Sequence, residues 1–166
     1  MSTRFQRITP FLWFSTQAEE AAAYYTGIFP NSRIVDVVRY SAEVAKASGQ
    51  PVGSAMTVAF ELDNQPFTAL NGGPVFTFNE AVSLVVHCQD AEEVDYYWDK
   101  LTAGGPVEAQ QCGWLKDRYG LSWQVVPEEM IQMLKDPDPV KVARVGAALM
   151  QMKKLDLADL RKAAAG

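Results

Sequence analysis

Asp90-Ala91-Glu92-Glu93 reads as the opening of a helix, with Asp90 as N-cap and Glu93 placed three residues on to reach back towards it. A similar start stands earlier, at Gln17-Ala18-Glu19-Glu20. Setting Ala18 on Ala91 also sets Tyr24 on Tyr97 and Tyr25 on Trp98. Two amphipathic helix starts can coincide by chance, so the elements around each decide what the echo means. An apolar run rich in β-formers, Ile8 to Phe14, precedes the first, and Val82 to Cys88 precedes the second; both read as strands.

Reading on from each helix extends the parallel. Thr16 and Glu19 have the form of a capping box for the first helix, which runs to Phe29 and stops at Pro30-Asn31-Ser32. Strands are expected at Arg33 to Tyr40, Ser54 to Asp63 and Phe67 to Asn71, with a turn at Asn64-Gln65-Pro66. The polar, Ala-rich stretch from Ser41 to Gly53 reads as a flexible loop or lid, and Gly72-Gly73-Pro74 breaks the chain. The second helix runs to about Ala103 and ends at Gly104-Gly105-Pro106. Strands come next at Val107 to Gln111, Trp114 to Arg118 and Ser122 to Val126, the last two joined by a hairpin turn at Asp117-Arg118-Tyr119-Gly120; Lys116-Asp117-Arg118 reads as solvated, with Asp117 hydrogen-bonding its own backbone. The order strand-helix-strand-strand-strand occurs twice, which points to an internal duplication.

Beyond Pro127 the chain reads as helical. Glu128 to Leu134 forms a short helix, and Asp138 caps the next, with Pro139 at its first position. Val142, Val145, Leu149 and Met152 form an apolar stripe that needs cover from the chain's own domain or from a second subunit. A last helix runs from Leu155 towards Ala165, capped by Asp156.

The chain has 166 residues, 48% apolar and 21% charged, which suits one globular domain with a core that needs no disulfide. The expected domain spans 1-166: module one at about 6-74, module two at about 75-127 and a helical extension at about 128-166. A net charge of -5 without a basic run argues against a nucleic-acid partner. The start, Met1 to Arg7, is polar and basic, and no long apolar segment succeeds it. Neither a secretory leader nor a membrane span is read there, so a cytoplasmic location is expected. Cys88 and Cys112 are then reduced thiols.

Few residues carry obvious chemistry. His87 is the only histidine; it shares its strand face with Ser83 and Val85 and reads more readily as a hydrogen-bonded strand-end residue than as a base. Cys112 would need a nearby cation or helix N-terminus to become a nucleophile, and packing is the simpler reading; Cys88 reads as core filler. Phe11, Trp13, Trp114 and Trp123 can line a ligand pocket or fill a core, and the sequence leaves both open. Glu19, Glu20, Glu92 and Glu93 favour helix N-termini rather than acid-base work. No Gly-x-Gly-x-x-Gly motif occurs.

Several stretches together resemble one family. They are Ile8-Thr9-Pro10-Phe11-Leu12-Trp13-Phe14, Ala69-Leu70-Asn71-Gly72-Gly73-Pro74, the run from Phe76 to Leu84, the long segment from Cys112-Gly113-Trp114 to Val125-Val126-Pro127, and Met150 to Asp156. The chain resembles the PhnB-like branch of the vicinal-oxygen-chelate superfamily, which includes glyoxalases, bleomycin-resistance proteins and dioxygenases. Members of this branch often carry the label 3-demethylubiquinone-9 3-methyltransferase.

The resemblance implies an α+β fold: two βαβββ modules forming a curved mixed sheet around a cavity, plus C-terminal helices. In metal-using relatives, first and fourth strands supply the ligands. These positions fall near Thr9 or Pro10, Asn71, Ser83 and Gln124. Such neutral side chains compete poorly with water for a divalent ion, so no metal or other cofactor is expected. The expected function is binding of an unidentified small molecule by a homodimer, with Thr9, Phe11, Trp13, Asn71, Ser83, Val85, Cys112, Trp114 and Gln124 lining the site. The alternatives are a metal-dependent lyase, isomerase or dioxygenase with ligands among His87, Glu61, Glu80 and Glu108 and, more distantly, the methyltransferase of the label. The common methyl-donor fold, with its Gly-rich turn, is not legible here.

Overall fold

A computed structural model describes residues 5–166. The polar start from Met1 to Arg4 lies outside the described residues. The chain divides into two compact units, one ending at Thr77 and the other beginning at Phe78.

The first unit comprises β1 (Phe11–Phe14), α1 (Ala18–Thr26), β2 (Arg33–Arg39), α2 (Ala42–Ser48), β3 (Ala55–Leu62) and β4 (Gln65–Asn71). Its strands form a mixed sheet in the order β1-β4-β3-β2, with β1 parallel to β4 and the other pairs antiparallel. Alternation along the strands sends Leu12, Phe14, Val58, Phe60, Phe67 and Ala69 to one face. There they meet Ala18, Ala21, Ala22 and Tyr25, spaced to form one stripe of α1. Tyr25 stacks on Phe60 at 6.4 Å, and Phe60 on Phe67 at 5.5 Å. Losing an aromatic ring from such a core costs about 3–5 kcal/mol.

Three local expectations are corrected in this unit. The stretch read as a lid holds α2, because Ser41 Oγ caps the Val44 N–H and Gly49 closes the helix at φ 71°. The β3–β4 turn is Asp63-Asn64, both left-handed (φ 47° and 64°), rather than Asn64-Gln65-Pro66; Asn and Asp tolerate the φ that a two-residue hairpin demands. Thr16 and Glu19 form no capping box, since α1 begins after Gln17 without a local side-chain cap. Asn71, at the end of β4, supplies the acceptor instead: its Oδ1 takes the Ala18 N–H at 2.8 Å.

The second unit comprises β5 (Ser83–Cys88), α3 (Ala91–Thr102), a 3₁₀ turn at Val107–Ala109, β6 (Trp114–Lys116) and β7 (Ser122–Pro127). After these come α4 (Glu128–Leu134), α5 (Pro139–Leu149) and α6 (Leu157–Ala165). The sheet order is β5-β7-β6, with β5 parallel to β7 and β6 antiparallel to it. Asp90 Oδ1 accepts the Glu93 N–H at 2.9 Å while Glu93 Oε2 takes the Gln89 N–H, so α3 starts as expected. Val94, Trp98 and Leu101 of α3 are buried, as are Val86, Cys88, Leu115, Trp123 and Val125 of the sheet it covers.

The expected strand at Val107 to Gln111 is a 3₁₀ turn, with a single bridge from Gln111 to Trp114. In the turn after β6 Arg118 is exposed and Asp117 bonds to the nearby backbone as read, but Asp117 itself is not solvated. Asp117 is 1% exposed and accepts the N–H groups of Tyr119 and Leu121 and the indole N–H of Trp123, at 2.8, 3.1 and 2.8 Å. Its carboxylate ties the hairpin to the core.

The C-terminal helices form as read, with Asp138 and Asp156 as caps. Val126, Met130, Met133, Val145, Leu155 and Leu160 make one buried cluster, against which Leu149 and Met152 pack. The chain's own helices thus cover Val145, Leu149 and Met152 of the expected stripe, of which Met152 lies beyond the end of α5. The segment before α6 is fastened to the turn before β6: Cys112 and Gly113 donate their N–H groups to the carbonyls of Met152 and Lys153, each at 2.8 Å. Gly113 sits at φ 82°, where a Cβ would touch Leu155 and the Val125 carbonyl at 3.0 Å. Among the described residues, no helix is long and apolar enough to cross a membrane.

The expected α+β class therefore holds, with two βαβββ-type modules and C-terminal helices. Hydrogen bonding divides the strands into a four-stranded and a three-stranded mixed sheet, and in the second module the 3₁₀ turn replaces one strand.

Candidate functional site

The face of the β5–β7–β6 sheet away from α3 brings polar and aromatic side chains into rows. Strand register sets Ser83, Ser122 and Lys116 side by side, and in the next row Val85, Gln124 and Trp114. Gln124 Nε2 donates to Ser83 Oγ at 2.9 Å, which locks the two rows together. Ser83, Gln124 and Trp114 are half-buried and Val85 is exposed. Beyond them on β7, Val126 is buried in the helical cluster, while on β5 His87 Nδ1 meets the Glu128 carboxylate at the start of α4. Lys116 Nζ is ion-paired with Glu80 from the segment before β5. Four of the expected lining residues, Ser83, Val85, Trp114 and Gln124, thus share one face.

Cys112 lies just outside this face, in a left-handed conformation (φ 51°) before β6. Its sulfur is 3.8 Å from that of Met150 and 3.4 Å from Gln111 Nε2. Neither contact supplies a cation or helix N-terminus that would activate a thiol. Trp123, which the sequence left open between pocket and core, belongs to the core beside Asp117.

Of the lining residues expected from module one, Phe11 and Trp13 share a sheet face and Asn71 does not. Thr9 precedes β1 and is exposed, and Phe11 is 58% exposed on the face of its sheet away from α1. Trp13 lies on that face too, its ring against Gly72, its indole N–H donating to the Gly73 carbonyl at 2.9 Å, and Phe76 edge-on at 4.9 Å. A Cβ on Gly72 would fall 2.2 Å from the Trp13 ring, so glycine is required there. Asn71 occupies the opposite face. It is 5% exposed; besides capping Ala18 it donates through Nδ2 to the Ala55 carbonyl at 3.0 Å, and its own carbonyl accepts the Tyr40 hydroxyl. Asn71 sits with Phe67 and Ala69 because a strand residue shares the face of those two and four positions away.

The donor set does not fit the divalent metal that the fold implies. Asn71 has its amide committed towards α1, Ser83 and Gln124 are bonded to each other, and Thr9 lies outside the strand. Of the alternative ligands, His87 meets Glu128, Glu61 is bonded to Arg33 at 3.0 Å, Glu80 is held by Lys116, and Glu108 is exposed on the 3₁₀ turn. Among the described residues, no group of three or more His, Cys, Asp or Glu side chains is placed to hold a metal.

Sequence reasoning missed Lys116 and Ser122 as members of this face. The alternation that picks out Gln124 also picks out Ser122. Only the pairing of β6 with β7, which the sequence does not specify, adds Lys116.

A family model described as 3-demethylubiquinone-9 3-methyltransferase matches residues 6–126. The chain belongs to that family. Among solved structures, this PhnB-like chain is 34% identical to a PhnB protein from Bacillus cereus that bears the same methyltransferase label. The match covers 74% of this chain and 99% of the other, with a TM-score of 0.64. Two further neighbours share the fold. Protein PA1353 from Pseudomonas aeruginosa is 18% identical, with 75% and 98% of the chains covered and a TM-score of 0.56. The fosfomycin resistance protein FosX from Listeria monocytogenes is 15% identical, with 81% and 100% covered and a TM-score of 0.55. No curated protein matches. The likeness of the PhnB-like chain to FosX is one of fold, and α5 and α6 lie beyond the residues that its family model matches.

Proposed function

We propose that the chain binds a small, partly apolar molecule on the β5–β7–β6 face and does so without a resident metal. One arrangement carries this reading: Gln124 and Ser83, bonded to each other, stand beside Val85 and Trp114 on a face that α3 leaves uncovered. A few fixed polar groups in an apolar surround give a small ligand its orientation. Uncharged donors of this kind favour an organic molecule over a divalent cation. The reading includes a homodimer, for which the exposed edge strand β2, with Ile34, Val35 and Val38, is a suitable surface.

Native mass spectrometry of the purified protein tests the binding. The expected result is a co-purifying organic molecule whose retention falls in Gln124→Leu and Trp114→Ala. Retention unchanged in both variants would remove this face from consideration. Equilibrium dialysis against zinc, manganese, nickel and iron provides the second arm, and stoichiometric uptake at micromolar concentration would favour the metal-dependent alternative. Light scattering reports the dimer, with twice the 18.3 kDa chain mass expected. The methyltransferase of the family label stands as a separate reading that calorimetry with the methyl donor decides. The small mixed sheets speak against it, since the usual donor site is built on a doubly wound parallel sheet.

A further inference from the structure

Ser122 is 1% exposed, and its Oγ has no hydrogen-bond partner. Buried hydroxyls are nearly always paired, so an orphan on a candidate ligand face is a donor that the chain itself does not use. Its register neighbours are both donors. Ser83 accepts from Gln124 and keeps its own hydroxyl proton available, and Lys116 presents an ammonium with three N–H groups. Adjacent strands lie about 4.8 Å apart, a gap that the oxygens of one oxyanion can bridge.

The acceptor now facing Lys116 belongs to the chain itself. Glu80 reaches it from outside the strands, with a side chain 64% exposed against 26% for Lys116. The Lys116 ammonium holds the Glu80 carboxyl below its ordinary value. Such a pair is weak and exchanges readily for a better-placed anion.

We propose that the row Ser83–Ser122–Lys116 is an oxyanion subsite in which Glu80 stands in for the ligand. A carboxylate or phosphoryl group takes the place of the Glu80 carboxylate against Lys116 and accepts the hydroxyls of Ser122 and Ser83. The apolar body of the same molecule lies along Val85 and Trp114. The inference rests on the ligand-face reading and adds the chemical class: a small amphipathic anion.

Calorimetric titration of the full chain with benzoate, phenylphosphonate and the neutral analogue benzamide tests it. At least one anion is expected to bind about ten-fold or more tightly than benzamide, the scale of a charge-assisted contact. Raising the salt concentration should weaken the anion and leave benzamide unchanged. The tighter of the two anions identifies the carboxylate or the phosphoryl group as the natural head. Lys116→Gln should abolish the preference, and Ser122→Ala should reduce it. Glu80→Gln should tighten anion binding about three- to five-fold by removing the competitor, a gain that damaged folding cannot mimic. Equal binding of benzoate, phenylphosphonate and benzamide would overturn the anion subsite and leave the ligand face standing. Anion affinity unchanged in Glu80→Gln would overturn the stand-in role. Failure of all three probes to bind either wild type or Glu80→Gln would overturn the ligand face as well.

Discussion

Asn71 caps α1 from the far end of β4: its Oδ1 accepts the Ala18 N–H at 2.8 Å across 53 residues of chain. One side chain thus joins the last strand of the first unit to its first helix, while its Nδ2 holds the Ala55 carbonyl of β3. Asn71→Leu should leave both backbone groups buried and unpaired. The expected loss is about 2–4 kcal/mol, or a Tm lower by about 5–15 °C, read by calorimetry. Unchanged stability together with a loss of ligand would return Asn71 to the binding face.

Asp117 and Trp123 make the corresponding tie in the second unit. Asp117→Ala orphans two backbone donors and one indole donor at once, so we expect a loss of at least about 3 kcal/mol in denaturant unfolding. Asp117→Asn keeps a carbonyl for the backbone donors and should lose less. In both variants a red shift of tryptophan emission is expected. A stability within about 0.5 kcal/mol of wild type, the usual range for surface substitutions, would show that Asp117 is solvated after all.

Gly72 is held to glycine by the ring of Trp13. Gly72→Ala should push the ring away, break its bond to the Gly73 carbonyl and cost about 1–3 kcal/mol. Trp13→Leu clears the ring, so adding Gly72→Ala to it should cost much less. A full, additive cost in the double variant would mean that the strain comes from the backbone.

The two thiols should separate by accessibility, and Cys88 should make stability depend on pH. Burial in the core under α3, reinforced by Glu93 and Asp90, pushes the Cys88 thiol up to about 12 from an ordinary 9.0. An acid whose pKa is raised by folding contributes stability below its unfolded value and loses it as pH climbs towards the folded one. Stability should therefore decline above about pH 9 in wild type and decline less in Cys88→Ala, as measured by urea titration. At about pH 8, iodoacetamide should label Cys112 in the native chain and Cys88 only on unfolding. At the acid end the sign reverses. Lys116, Arg161 and Lys141 hold Glu80, Glu129 and Asp136 below their ordinary values, so these pairs support the fold above those values and fail as pH falls through the lowered ones.

How much of the molecule is legible in the sequence depends on the range of the interactions concerned. Asp90, Asp138 and Asp156 act within one helical turn, and each cap is readable from its neighbours. The capping of α1 is not, because its acceptor lies 53 residues away and the nearer Thr16–Glu19 pattern points elsewhere. The helix at Ala42–Ser48 is obscured because its length and polarity match those of a loop. For the candidate face, alternation along β5 and β7 groups Ser83, Val85 and Gln124 as the strand register does. The placing of Lys116 depends on a strand of three residues whose register is fixed only by its partner, and the burial of Ser122 depends on neighbours that no linear pattern names.

The backbone pairing of Cys112 and Gly113 with Met152 and Lys153 means that the helical tail is a clasp and not an appendage. A shortened version ending at Pro127 would still include every residue that the family model matches. It would nonetheless strip two amides of their acceptors in the turn that leads into Trp114, and uncover Val126 at the edge of the candidate face. In this protein, the part outside the shared pattern keeps the shared part in shape.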